Sequence, residues 1–330
     1  MNRPVTLVSG QWADLQFDEL CRTVRRLGFD GIEIACSGDH LDIRKAASDP
    51  YYVDRKKQQL AQHDLGCWAL SAHLQGQCVG DDYDERLDNF APDSVKGKPD
   101  KIREWAIGEM MLVPQAAANM GCSVVTCFMG SPIWKRWYSF PQTTERMIDD
   151  GYHRIVDLWS PILDEFDRYN VKFAFEVHPT EIAFDYYTTL RLLDEFKHRP
   201  ALGLNFDPSH LLWQGVIPHF FVRDFADRVY HVHMKDVAIN RDGRAGLLGS
   251  HLPFGDLRRG WDFRSLGHGE VDFERIIREL NAAGYYGPLS VEWEDNGMDR
   301  EVGAGESLQF VRRIDFRPSE IVFDGAMKNE

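Results

Sequence analysis

No run of about 18 apolar residues occurs in the 330-residue chain, so no transmembrane helix is expected. Positive charge is in short supply: 38 Lys and Arg stand against 52 Asp and Glu, a net charge of −14. Binding to a phosphate backbone is driven by surplus Lys and Arg, so this balance argues against nucleic acid and against an anionic membrane as partners. A small polar substrate remains compatible with it. The six cysteines, Cys21, Cys36, Cys67, Cys78, Cys122 and Cys127, form no Cys-x-x-Cys pair, and most sit in apolar runs. They read as reduced, buried thiols in a cytoplasmic protein. The first ten residues have neither the apolar core nor the small-residue cleavage site of a signal peptide. With 43% hydrophobic and 27% charged residues, the composition is that of a globular chain rather than a disordered one.

What is present is an alternation of short apolar strands with amphipathic helices. Strands are expected at 4–9, 31–35, 66–72, 122–128, 171–176, 202–206, 229–234 and 288–292. Helical spacing falls between them, near 17–27, 54–64, 100–120, 143–169, 186–198, 219–226 and 272–283. Pro161 should kink its helix rather than end it, because the apolar stripe continues past it. Gly28, Gly121, Asn170 and Gly284 each close a helix just before a strand. Eight strand–helix units suggest one (β/α)8 barrel, an α/β fold spanning residues 1–330 as a single domain. A doubly wound open sheet is the competitor, but the turn after the first strand, Ser9-Gly10-Gln11-Trp12, has no Gly-x-Gly-x-x-Gly pattern. The connections after strands are long, notably 73–99, 129–142 and 236–271. In a barrel they gather at the C-terminal face, and connections of this length serve as lids or binding loops.

Strand parity locates the chemistry. Alternate residues of a barrel strand face the helices and the interior. In Val171–Glu176 the helix-facing set is Val171, Phe173 and Phe175, which leaves Glu176 inward. The same rule turns Asn205 and Asp207 inward, then His231, His233 and Lys235, then Ser290, Glu292 and Glu294. Four successive strands therefore deliver Glu176, Asp207, His233 and Glu292 at their C-terminal ends. Inward carboxylates must be paired, protonated or bound to metal. Three of them converging would repel one another without a cation. Mixed oxygen and imidazole ligation suits manganese, magnesium, cobalt or iron(II) better than a thiolate-rich zinc site does. We expect one divalent ion, manganese first, with zinc also allowed.

At these residues the chain resembles the xylose-isomerase-like sugar isomerases and epimerases, a group that includes inosose dehydratase and hydroxypyruvate isomerase. The carrying segments are Phe175-Glu-Val-His-Pro179, Asn205-Phe-Asp-Pro-Ser-His210, His231-Val-His-Met-Lys-Asp236 and Ser290-Val-Glu-Trp-Glu294. The resemblance implies that Glu176, Asp207, His233 and Glu292 hold the metal. It also implies that Glu176 and Glu292 double as the catalytic acid/base pair and that His210 touches substrate. The chain departs from ketohexose epimerases, which carry an Arg soon after the metal-binding His. Here Lys235-Asp236 follows, and then the long 236–271 segment. The expected activity is isomerisation or epimerisation of a keto-sugar or sugar derivative. The alternative is β-elimination on a 3-keto-glycoside, as in deglycosidases whose barrel works with a small second subunit. An AP endonuclease, which in this superfamily has a trinuclear zinc site, and a non-catalytic sugar-binding barrel are weaker readings. A homo-oligomer is expected.

Further substrate-binding candidates are His73, His178, Lys235, Trp134 and His268. His73 ends Ala69–His73 on the inward parity, and His178 lies two residues beyond Glu176. Lys235 is placed to bind an oxyanion or to pair with Asp236 or Glu294. Trp134, with Trp137 and Tyr138, can stack on a sugar or simply anchor its loop, and His268 sits in the turn-forming run Leu266–Glu270. His231 reads as a hydrogen-bonded core residue and Glu33 as a structural ion pair. Given the charge balance, a gel-shift titration at physiological salt should find no sub-micromolar complex with abasic-site DNA. Detecting one would revive the endonuclease reading.

Overall fold

The computed structural model describes residues 3–321 and 324–327. Eight strands close into a barrel: β1 (Val5–Val8), β2 (Gly31–Ala35), β3 (Ala69–Ser71), β4 (Val124–Cys127), β5 (Lys172–Glu176), β6 (Leu202–Phe206), β7 (Val229–Met234) and β10 (Leu289–Val291). All neighbours pair in parallel, and β10 closes the ring between β7 and β1. Two further strands, β8 (Asp236–Ile239) and β9 (Trp261–Arg264), form an antiparallel hairpin outside the barrel. No helix among the described residues is long and apolar enough to cross a membrane.

The helix-facing parity forms the packed layer. Phe173 of β5 is fully buried, its ring 5.0 Å from Trp159 and 5.3 Å from Phe166. Both partners lie on the helix Glu145–Arg168, which runs through Pro161 as the continuing stripe required. Gly28, Gly121, Asn170 and Gly284 all have positive φ, so the helix-closing signals are met in the backbone. All six cysteines are free thiols, five of them buried.

Beyond the unexpected short helices Ile43–Ser48 and Pro208–Leu212, three segments differ from expectation. Residues 73–99 read as a loop, yet a helix, His73–Gly80, starts directly after β3. Its residues from Gln75 onward are buried on every side, so no polar face marks it in sequence. Gly76 and Gly80 let it press on the main chain after β4: a Cβ at either would lie 2.1 Å from Phe128 O or 2.2 Å from Met129 O. The 236–271 segment is not plain loop, because its two ends pair as β8 and β9. The last helix, Arg300–Ile314, carries Gly303 and Gly305, which weaken its pattern, and docking on the barrel makes up for them.

Truncating Phe173 to Ala should cost about 3–5 kcal/mol, since it empties a closed aromatic contact. A shift of the denaturant midpoint at constant slope measures this. A loss under about 1 kcal/mol would mean that this layer collapses to fill the gap.

Candidate metal centre

Glu176 is the last residue of β5, Asp207 follows β6, His233 is next to last in β7 and Glu292 follows β10. One ligand-capable atom from each lies within 4.8 Å of the others. Local structure aims each atom. Asp207 caps the short helix Pro208–Leu212, its Oδ1 accepting from the Ser209 amide at 2.8 Å and hydroxyl at 2.7 Å. That leaves Oδ2 for the centre. His233 Nε2 lies 3.1 and 3.2 Å from the two oxygens of Glu33, so Nδ1 is turned toward Glu176 Oε2 at 3.2 Å and Glu292 Oε2 at 3.3 Å. Glu176 Oε2 also accepts from Asn205 Nδ2 at 2.7 Å and meets His73 Nε2 at 3.0 Å.

Asp207 Oδ2 and His233 Nδ1 are buried without an aligned hydrogen bond. Lys235 Nζ sits 3.0 Å from that Asp207 oxygen, an ionic contact only, and 2.6 Å from Glu292 Oε2. Three carboxylates and one imidazole nitrogen, two of them without an aligned hydrogen bond, fit a hard or borderline divalent cation. The electrostatics show how much positive charge these carboxylates call for. Burial pushes the Glu176 carboxyl up, but His233, His210 and His73 hold it well below the carboxylate range. Burial is likewise outweighed at Glu292, where Lys235 and His233 keep the charge on. Burial lowers His233 and Lys235, and their carboxylate neighbours, led by Glu33 and Asp207 respectively, raise both well above normal. The cluster therefore draws its positive charge from its own side chains.

The surrounding residues sort clearly. His73, Trp134, His178, His210 and Lys235 line one cavity of about 1480 Å³ together with Glu176 and Glu292. His210 Nε2 is 3.4 Å from both Glu176 Oε1 and Asp207 Oδ2. Its ring meets that of His178 edge to face at 4.1 Å, and His178 Nδ1 is buried without a partner. Lys235 pairs with Glu294, at 3.3 Å, and not with Asp236. Asp236 instead accepts from the amides of Val237, Gly267, Gly269 and Val271, which fixes the base of the hairpin. His268 does not reach the cavity. It is half-exposed and lies 2.9 Å from Glu306 on the last helix. His231 and Glu33 form the expected core pair at 2.7 Å.

Sequence reasoning missed three contributors. Ser209 was readable, since Asp-Pro-Ser is a helix-start signal. Glu181 was not: its buried carboxylate accepts from the Met129 and Gly130 amides and so fixes the root of the loop that carries Trp134. Phe263 lay in what read as loop, and it packs 4.7 Å from Lys235 Nζ and 5.4 Å from His210.

The model of the xylose isomerase-like TIM barrel family matches residues 21–314, and the chain belongs to that family. It is 24% identical over 323 residues to the uncharacterized protein YfiH of Bacillus subtilis, covering 94% of this chain and 98% of that one. It is 31% identical over 177 residues to inosose dehydratase of Clostridium beijerinckii, about half of each chain (51% and 53%). The 3-keto-D-glucoside 4-epimerase YcjR of E. coli superposes with a TM-score of 0.66 at 15% identity, over 94% of this chain and 99% of that one, a likeness of fold.

Glu33 gives a direct test of how His233 is aimed. Glu33→Gln keeps the volume and removes the acceptor charge behind the imidazole. Affinity for manganese or zinc, measured by calorimetric titration, should fall by roughly 10–100-fold while the fold persists. Unchanged affinity would show that the packing of β7 alone orients His233.

Proposed function

We propose that this protein is a divalent-metal-dependent enzyme that moves a proton beside the carbonyl of a keto-sugar or sugar derivative, yielding an isomer or epimer. The observation that carries this reading is the convergence of Glu176, Asp207, His233 and Glu292 at the mouth of the barrel. Fold neighbours and curated relatives that act on keto-sugars and inososes support it. In this reading these four residues hold the ion, with manganese the first choice. The bound ion supplies Lewis-acid stabilisation of the negative charge that develops on the substrate oxygens.

The protein's own groups do the rest. Glu176 and Glu292 both line the cavity, and both are held as carboxylates by the cations and donors around them. One takes the proton next to the carbonyl, and the other, once it has picked up a proton from water in the cavity, delivers it to the enediolate. His73 and Asn205 keep Glu176 in position through its Oε2. Lys235 fixes Glu292 and brings an ammonium beside the oxygen that gains charge.

A second reading has its own observation. His178 and His210 form an edge-to-face pair on the cavity wall, and His178 Nδ1 has no partner. Such a pair can protonate a leaving group β to the carbonyl, which would make the reaction an elimination. The dehydratase relatives agree with it.

Incubation of the manganese-loaded protein in D2O with a panel of ketoses, inososes and 3-keto-glycosides, followed by NMR, separates the readings. Epimerisation or isomerisation gives a new sugar carrying one deuterium. Elimination gives a released group and an unsaturated ketone. An absence of both carbon-bound deuterium and a released group across the panel would sink both. In parallel, the Asp207→Ala/His233→Ala double variant should lose stoichiometric metal by elemental analysis. Full retention would remove the quartet from the metal site.

A further inference from the structure

The cavity has room for more than a bare sugar. At about 1480 Å³ it exceeds the roughly 300–1,000 Å³ typical of sites for drug-sized ligands. Its lining is mixed. Glu176, Glu292, Glu294, His73, His178 and His210 lie at the inner end, beside the candidate metal ligands, and two groups of aromatic rings also line it. One comes from the connections after β4 and β5: Trp134 stacks with Trp137 at 6.4 Å and meets Phe184 edge to face at 5.2 Å. The other joins the hairpin to the connection after β6. Trp213 and Trp261 lie face to face at 4.6 Å with planes 8° apart, and Phe254 stacks on Phe263 at 5.6 Å. Phe263 touches the inner end, since it packs against Lys235 and His210. The second aromatic group therefore starts beside the metal-site residues and runs outward.

Two more observations narrow the occupant. Lining side chains of the outer part stand open to solvent: Leu248 is 70% exposed, Phe254 53% and Trp137 48%. Apolar surface held open around a cavity is recovered when a ligand with an apolar face covers it. Among the described lining residues, moreover, Lys235 is the one Lys or Arg, and its ammonium is already engaged by Asp207, Glu292 and Glu294. A phosphate or carboxylate on the distal part of the substrate would find no free lysine or arginine there.

We infer that the substrate is an unphosphorylated keto-sugar that carries a neutral aromatic substituent, with the sugar carbonyl at the inner end and the aromatic group between the two sets of rings. This rests on the keto-sugar reading above and deepens it. The hairpin β8–β9 then selects the substrate through Trp261, Phe254 and Leu248, and it takes no part in the proton transfer. A substituent of one phenyl ring buries enough apolar area to be worth at least a tenfold preference over a methyl group.

The test uses the full-length, manganese-loaded protein and three matched keto-glucosides bearing a phenyl, a methyl or a glucosyl group. Deuterium wash-in next to the carbonyl gives kcat/KM for each. Binding of plain phenyl β-glucoside, read by tryptophan fluorescence, reports the outer site without any chemistry. The expected result is kcat/KM at least tenfold higher for the phenyl compound than for the methyl one. That advantage should shrink severalfold in Trp137→Ala and in Leu248→Ser, both exposed positions, the phenyl compound losing more than the methyl one. Equal rates on all three, or a preference for the glucosyl compound, would overturn the aromatic substituent and leave the keto-sugar chemistry standing. No wash-in on any compound, with phenyl glucoside binding that weakens in Trp137→Ala, would support the aromatic site and remove the proton-transfer reading. Neither wash-in nor binding would overturn both.

Discussion

The structure depends on how a closed barrel carries several buried carboxylates at one end. Glu33, Glu176 and Asp207 are nearly inaccessible, and Glu292 and Glu294 lie next to them. Each would cost several kcal/mol if left unpaired in so dry a place. The fold meets this with a small set of cations in fixed positions. His233 stands between Glu33 on one side and Glu176 and Glu292 on the other, and Lys235 bridges Asp207, Glu292 and Glu294. The two basic residues are two apart at the end of β7, so a single strand end neutralises carboxylates delivered by four others. A divalent cation would add positive charge where the carboxylates already meet. This explains how so acidic a cluster, one that could hold a cation, is also compatible with a folded barrel.

Carboxylates serve a second purpose here, as anchors for the long connections. Asp236 gathers four backbone amides at the foot of the hairpin, and Asp295 Oδ2 accepts the Ser265 amide at 2.8 Å. Glu181 and Asp81 take the Met129, Gly130 and Ser131 amides after β4. Loops that project aromatic side chains over the cavity are thus rooted rigidly, although their tips are exposed. Rigid roots with open apolar tips suit a site that positions its reacting groups in advance and leaves the distal part of the ligand to be gripped by surface burial.

The division between sequence and structure follows interaction range. Two-residue periodicity is a local property of a strand, so the barrel, the helix-facing layer of Phe173 and Phe175, and the inward set of Glu176, Asp207, His233 and Glu292 were readable before any coordinates. Helix-closing residues such as Gly28 and Asn170 were equally local. The helix His73–Gly80 was not, because it is buried all round and owes its place to close approach against the chain after β4. The pairing of Asp236–Ile239 with Trp261–Arg264 joins segments separated by about twenty residues, and no spacing rule links them.

Side-chain partnership belongs to the tertiary structure alone. Sequence left Lys235 a choice between Asp236 and Glu294, and only the barrel's curvature puts Glu292 and Glu294 at its ammonium while turning Asp236 toward the hairpin. His268 and His178 look alike as histidines near strand ends, yet one lies at the surface against Glu306 and the other is half-buried at the cavity wall. By itself the sequence determined which residue types reach the barrel mouth, because parity and strand order are written along the chain. Which of them meet, which carboxylates each nitrogen of His233 faces, and how wide the cavity opens were decided by closure of the sheet. Those properties depend on distances between residues far apart in sequence, and a linear pattern does not encode such distances.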